Sequence, residues 1–246
     1  MSVALVTGGG GGIGRAIALQ LARDGFDVAV VDIDETASAE TARLVTGAGR
    51  KAISHRADVS DSAAVVAFVA ATETQLGPIT AFANNAGIEG VIAPIFDYPD
   101  ETFDQLWAVN ARGVFLGLKH VLGCMRPRGV GAVVTTASTS AIRGRAGLAG
   151  YVATKHAVLG LTRVAALDMA GTGIRVNAVL PGPIETRMIQ SLDEQARGRS
   201  GSVVRAGAAV YGKPEHVASV AAFLLSDKAA HVNGAAWTVD AASTVS

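Results

Sequence analysis

Two rhythms of apolar residues alternate along the chain. Short runs rich in valine and isoleucine, such as Val3-Ala4-Leu5-Val6-Thr7, recur between longer stretches with helical spacing. The pattern predicts strands at Val3 to Thr7, Asp27 to Asp32, Lys51 to Ala57, Ile79 to Asn84, Ala132 to Ser138, Ile174 to Leu180 and Ala235 to Val239. Helices of roughly 12 to 25 residues fill the gaps, as crossovers between parallel strands require. Runs that are apolar throughout, with no polar alternation, belong to strands covered on both faces. The expectation is an α/β fold: a doubly wound, seven-stranded, mainly parallel sheet flanked by helices. No linker composition, charge block or repeat breaks the alternation, so residues 1–246 are expected to form one domain. From Pro181 to Lys213, proline, glycine and arginine interrupt the periodicity, and a lid is expected at about 183–212.

Composition narrows what such a fold does. Half of the 246 residues are hydrophobic and 17% are charged, enough to bury a sizeable core. Lysine plus arginine and aspartate plus glutamate both number 21, so no net field favours nucleic acid or an anionic membrane, and neither is an expected partner. No apolar run approaches the roughly 18 residues of a membrane span. The lone Cys124 fits a reducing compartment, which makes the cytoplasm the expected location. His55, His120, His156, His216 and His231 have no metal-ligand spacing, and no metal is expected.

The first strand runs into five consecutive glycines, Gly8 to Gly12, followed by Ile13-Gly14-Arg15 and a helical stretch. Strand, glycine turn and helix together bring backbone N–H groups and a helix N-terminus to a pyrophosphate, which makes the fold a Rossmann-type one. Asp32 ends the second strand at the spacing where a carboxylate meets an adenosine ribose, although capping of the next helix is a competing use. A ribose 2′-phosphate about 5 Å from that carboxylate costs several kcal/mol at an effective dielectric of ~20. NAD is therefore the expected cofactor rather than NADP.

Tyr151 and Lys155 stand at i and i+4 on a helix predicted from about Gly150 to Ala170. A cation about 4 Å from a phenol is worth up to ~4 kcal/mol at effective dielectric ~20, nearly three pKa units. Such a phenol can exchange a proton with an alcohol or carbonyl as hydride moves. Trp107 and Phe115, two turns apart on one helix, read as a core or interface stripe.

Taken together, Thr7-Gly8-x-x-x-Gly12-Ile13-Gly14, Asn84-Asn85-Ala86-Gly87, Asn110, Ser138, Tyr151-x-x-x-Lys155 and Pro181-Gly182 resemble the short-chain dehydrogenase/reductase family. The likeness runs from Val3 to about Val239. It implies that Tyr151 is the general acid/base and that Lys155 lowers its pKa and holds the nicotinamide ribose. By the same resemblance Ser138 orients the substrate oxygen and Asn110 holds a water of a proton relay. Asp58 and Val59 contact adenine, while Asn85, Ala86 and Gly87 line the cofactor and brace the sheet. Pro181, Gly182, Ile184 and Thr186 pack on the nicotinamide and bind its carboxamide. A homotetramer is also implied. The chain departs from the family near its C-terminus, where Val239-Asp240-Ala241-Ala242 replaces the frequent double glycine.

The leading expectation is a hydride transfer between NAD(H) and a secondary alcohol or ketone. Leu148, Met188, Ile189 and Leu192 point to a largely apolar pocket for a small or cyclic ketone. A 3-oxoacyl-[acyl-carrier-protein] reductase is the alternative within enzymes. Asp32 weighs against it, while Arg143, Arg145, Arg187, Arg197 and Arg199 near the expected mouth offer a basic entrance. A non-catalytic dinucleotide-binding sensor is the alternative of another class, opposed by the presence of both Tyr151 and Lys155.

Overall fold

The computed structural model describes residues 2–200 and 211–245. In chain order the elements are β1 (Val3–Thr7), α1 (Gly12–Arg23), β2 (Asp27–Asp32), α2 (Glu35–Gly47), β3 (Ala52–Arg56), α3 (Ser62–Gln75) and β4 (Ile79–Asn84). They continue as α4 (Asp100–Leu106), α5 (Gly113–Met125), β5 (Gly131–Thr136), α6 (Ala149–Asp168), β6 (Ile174–Pro181), α7 (Arg187–Ser200), α8 (Pro214–Leu225) and β7 (Ala236–Val239). All seven expected strands are present. The sheet order is β3-β2-β1-β4-β5-β6-β7, and every adjacent pair is parallel.

The period-two geometry of a strand explains the unbroken apolar runs. On β1, Val3 and Leu5 enter one core with α3, α5 and α6, while Ala4 and Val6 enter the opposite core with α1, α2 and α8. Strand order reverses between β1 and β4, and their C-terminal ends diverge there into a crevice.

Two local expectations are corrected and one is narrowed. The fifth strand ends at Thr136, so Ser138 lies two residues beyond it and opens a 3₁₀ turn, its Oγ accepting from the Ser140 N–H at 3.1 Å. Of the core and interface readings of Trp107 and Phe115, their exposures of 39% and 46% leave the interface one. Within the expected lid, residues 201–210 lie outside the described residues, but Arg187–Ser200 is helical rather than irregular. Thr186 starts that helix, its Oγ1 accepting from the Ile189 N–H at 3.3 Å.

The departure from a double glycine has a backbone cost. Ala241 and Ala242 both adopt left-handed conformations, with φ of 48° and 64°. A Cβ in this region costs roughly 1–2 kcal/mol per residue. The turn is held by Asp240, whose carboxylate accepts from Ser243 Oγ at 3.1 Å and Thr244 Oγ1 at 2.7 Å. Replacing either Ala241 or Ala242 with glycine is expected to raise the unfolding free energy by about 0.5–1 kcal/mol, after the entropy that glycine adds to the unfolded chain, as read by urea denaturation.

Candidate active site

A cavity of about 1020 Å³ opens along the crevice. One end is the glycine turn. Gly8 and Gly12 have φ of +63° and +51°, and a Cβ on Gly14 would stand 2.0 Å from the Gly8 carbonyl oxygen. A tight approach of helix to strand is possible only without side chains here. Beside the turn, Asp32 accepts from the Gly10 N–H at 2.8 Å and the Asp34 N–H at 3.0 Å, so its carboxylate is fixed at the cavity wall. Asp34, not Asp32, caps α2, its Oδ1 accepting from the Ala37 N–H at 3.0 Å. The competing use of Asp32 as that cap is therefore absent.

Asn85 ties the strand ends together. Its Nδ2 donates to the carbonyls of Thr7 at 3.1 Å and Gly8 at 3.3 Å, and its Oδ1 accepts from Thr136 Oγ1 at 3.0 Å. The Thr7 hydroxyl oxygen accepts from the Asn85 and Ala86 N–H groups at 3.0 and 3.2 Å. One amide thus spans β1 and β5 from the loop after β4. Thr7 and Thr136 belong to this bracket without having been singled out in the sequence. Thr7 did lie inside the quoted glycine motif, while nothing local marked Thr136.

The far end of the cavity carries Ser138, Tyr151 and Lys155. Lys155 is buried, donates to the Thr136 carbonyl at 2.9 Å, and lies 5.6 Å from the centroid of the Tyr151 ring. Desolvation lowers its pKa to about 8. Burial raises the Tyr151 phenol, opposed by a hydrogen bond with Ser138 and the charge of Arg145, while Glu89 pushes it further up. The expected lowering of the phenol by the ammonium is corrected here: desolvation dominates, and the lysine is not among the groups that lower it.

Asn110 lies in a π-helical segment, Trp107–Arg112, between α4 and α5. The wider turn suits a buried asparagine poorly tolerated in a regular helix. Its Oδ1 accepts from the Ile88 N–H at 2.8 Å, and its Nδ2 donates to the Ile88 carbonyl at 2.9 Å and to Thr154 Oγ1 at 3.3 Å. It therefore joins the loop after β4 to α6. Thr154 had no signal beyond its place between Tyr151 and Lys155.

Of the remaining expected positions, Asp58, Val59, Ala86, Gly87, Pro181, Gly182, Ile184 and Thr186 all line the cavity, as do Gly12 and Ile13. Asp58 also accepts from the Ser60 N–H at 2.8 Å. Leu148, Met188, Ile189 and Leu192 line it too. The basic entrance is corrected in part. Arg145 and Arg187 reach the cavity, but Arg143 donates to the carbonyl and hydroxyl of Ser243, and Arg197 lines a separate, smaller pocket. The Arg199 side chain lies outside the described residues. Among the described residues no group of three or more histidine, cysteine, aspartate or glutamate side chains is placed to hold a metal, and no helix is long and apolar enough to cross a membrane.

Residues 9–244 match a family model described as enoyl-(acyl carrier protein) reductase. Levodione reductase of Leifsonia aquatica is 42% identical over 246 residues, covering 97% of this chain and 92% of that protein. A crystal structure of a levodione reductase superposes with a TM-score of 0.95 at 40% identity, covering 100% of this chain and 98% of the other. The 2-(R)-hydroxypropyl-CoM dehydrogenase of Xanthobacter autotrophicus is 41% identical, covering 98% of each chain. A crystal structure of NAD⁺-bound xylitol dehydrogenase matches with a TM-score of 0.92 at 33% identity, covering 97% of each. The chain belongs to the short-chain dehydrogenase/reductase family. It is an oxidoreductase.

The Asn85 bracket is the site's structural keystone. Asn85→Ala is expected to remove the three side-chain hydrogen bonds and lower the unfolding free energy by roughly 2 kcal/mol, measured by chemical denaturation without ligand.

Proposed function

We propose that the chain transfers hydride between NAD(H) and a secondary alcohol or its ketone, with Tyr151 as the general acid/base. The observation that carries this reading is one cavity lined at one end by Asp32 and the glycine turn and at the other by Ser138, Tyr151 and Lys155. The fit to a dinucleotide is supported by the tightness of the turn: a Cβ on Gly8 would meet Ala86 Cα at 2.8 Å and Asn85 Nδ2 at 3.0 Å, so the turn packs on the loop after β4 only as bare backbone. Asp32, anchored by two backbone N–H groups, favours ribose hydroxyls over a 2′-phosphate. NAD, when bound, supplies the hydride carrier.

The chain's own residues supply the rest. Ser138 and Tyr151, which line the same end of the cavity, hold the substrate oxygen between two hydroxyls. Tyr151 gives its proton to a carbonyl or takes one from an alcohol. Lys155, braced by the Thr136 carbonyl, is assigned to the nicotinamide ribose and to the phenol's proton supply. Asn110, locked to Ile88 and Thr154, fixes the loop carrying Gly87 against α6. Gly8, Gly12, Ile13 and Gly14 are assigned to the diphosphate, and Asp58 and Val59 to adenine. Asn85, Ala86, Gly87, Pro181, Gly182, Ile184 and Thr186 are assigned to the nicotinamide half.

The chain is read as one catalytic domain with a lid at about 183–212, working in the cytoplasm. The exposed Phe103, Trp107 and Phe115 support self-association, for which a homotetramer is the proposed form. The apolar wall of Leu148, Met188, Ile189 and Leu192 suits a small or cyclic ketone. A carrier-protein substrate is the weaker reading, since Arg143 is engaged by Ser243.

Tyr151→Phe is expected to lower kcat/KM for NAD-linked alcohol oxidation by about 10²–10⁴-fold while NADH binding persists. Undiminished turnover removes Tyr151 from this role. A second measurement uses pH. Burial holds the phenol protonated at neutral pH, so oxidation, which needs the phenolate, should gain up to about tenfold in kcat/KM per pH unit on the alkaline side. Carbonyl reduction, which needs the phenol, should stay level and then decline. Steady-state rates in both directions across pH check the opposed slopes.

A further inference from the structure

We infer that Arg187, at the first position of α7, is a diphosphate-binding residue that joins the wall of the substrate cavity to the cofactor. The inference rests on the dinucleotide reading above. A dinucleotide with its adenosine ribose at Asp32 and its reactive ring at Tyr151 has to lay its diphosphate across the turn between Gly11 and Ile13. Arg187 stands over that turn: its Nη2 is 3.9 Å from the position a Cβ on Gly11 would take. The neighbouring Thr186 Cγ2 is 3.1 Å from the corresponding position on Gly12. Both residues border the same cavity.

The other cations of the cavity are committed elsewhere. Arg15 donates to Thr41 Oγ1 at 2.9 Å and to the Gly10 carbonyl, which turns it toward α2. Lys155 donates to the Thr136 carbonyl, and Arg145 reaches Thr139 Oγ1 at 3.4 Å near the chemical end. Arg187 has no hydrogen bond or ion pair among the described residues, although Glu185 and Glu215 also border the cavity. An uncommitted guanidinium beside a turn of bare backbone N–H groups suits a ligand carrying two adjacent negative phosphates.

The helix that carries Arg187 is fixed at two further points. Thr186 caps its start. Gln195, two turns on, accepts from the Ile92 N–H at 2.9 Å and donates to the Gly90 carbonyl at 3.3 Å. The arginine's backbone is therefore held in place before any ligand arrives, and little backbone order remains to be gained on binding. The same helix presents Met188, Ile189 and Leu192 to the cavity, so a diphosphate gripped by Arg187 also positions the apolar wall for the alcohol.

Calorimetric titration of the wild-type and Arg187→Gln proteins with NADH, ADP-ribose and adenosine tests this. In the variant, Kd for NADH and for ADP-ribose should rise about tenfold, which is about 1.4 kcal/mol, while that for adenosine, which lacks phosphates, stays unchanged. Arg187→Lys should recover part of the loss, and added salt should weaken NADH binding less in Arg187→Gln than in the wild type. Equal NADH affinity in wild type and Arg187→Gln overturns the inference and leaves the dinucleotide reading standing. A matching loss for adenosine also overturns it, because the variant has then disturbed the pocket as a whole. Wild-type protein that binds neither NADH nor ADP-ribose overturns the dinucleotide reading itself.

Discussion

The constraint on which the rest depends is the parting of β1 from β4, where the order of strands reverses and nothing regular is left to pair the backbone beyond their ends. Parallel ladders stop there, so side chains have to hold the geometry. Asn85 does this with an amide that donates to two carbonyls and accepts one hydroxyl, while Thr7 receives two N–H groups in return. Satisfying these polar groups internally keeps the rim of the crevice rigid while its interior remains open. The glycine turn, the loop of Gly87 and the strand end that receives Lys155 all take their positions from that bracket.

At the chemical end, low dielectric is the organising influence. Burial lifts the phenol and depresses the lysine to about 8, two shifts in opposite directions that invert their order and draw their proton affinities apart. The phenol keeps its proton well into the alkaline range, while the lysine titrates closer to neutrality. The fold therefore tunes acid–base chemistry through exclusion of water as well as through charge. Ser138, held by a 3₁₀ turn rather than by a strand, is placed with a rotamer fixed by its own backbone contact.

Much of this was legible in the chain itself. Fully buried strands write unbroken valine and isoleucine runs, and a backbone that must approach a phosphate writes glycines, so the sheet, the turn and Asp32 could be read locally. Tyr151 and Lys155 were legible because helical spacing is a local property. What escaped was set by long-range packing. The π-helical turn at Asn110 depends on partners at Ile88 and Thr154, and the Thr136 bracket depends on Asn85, fifty-one residues away in sequence. The helix from Arg187 escaped because its apolar residues face a cavity rather than a core, which blurs the periodicity. The direction of the tyrosine's shift also escaped, since spacing reports proximity of charge but not the depth of burial.

The grip of Arg143 on Ser243 has a consequence for how the molecule is assembled. It ties the loop between Ser138 and Tyr151 to a segment a hundred residues later in the chain. A loop of that length costs more chain entropy to close than the shorter ones within the crossover units. A nascent polypeptide that has extended only as far as β6 holds Ser138, Tyr151 and Lys155 yet lacks the anchor for one side of the pocket. One wall of the reaction chamber thus waits on a segment made long after its acid–base side chains.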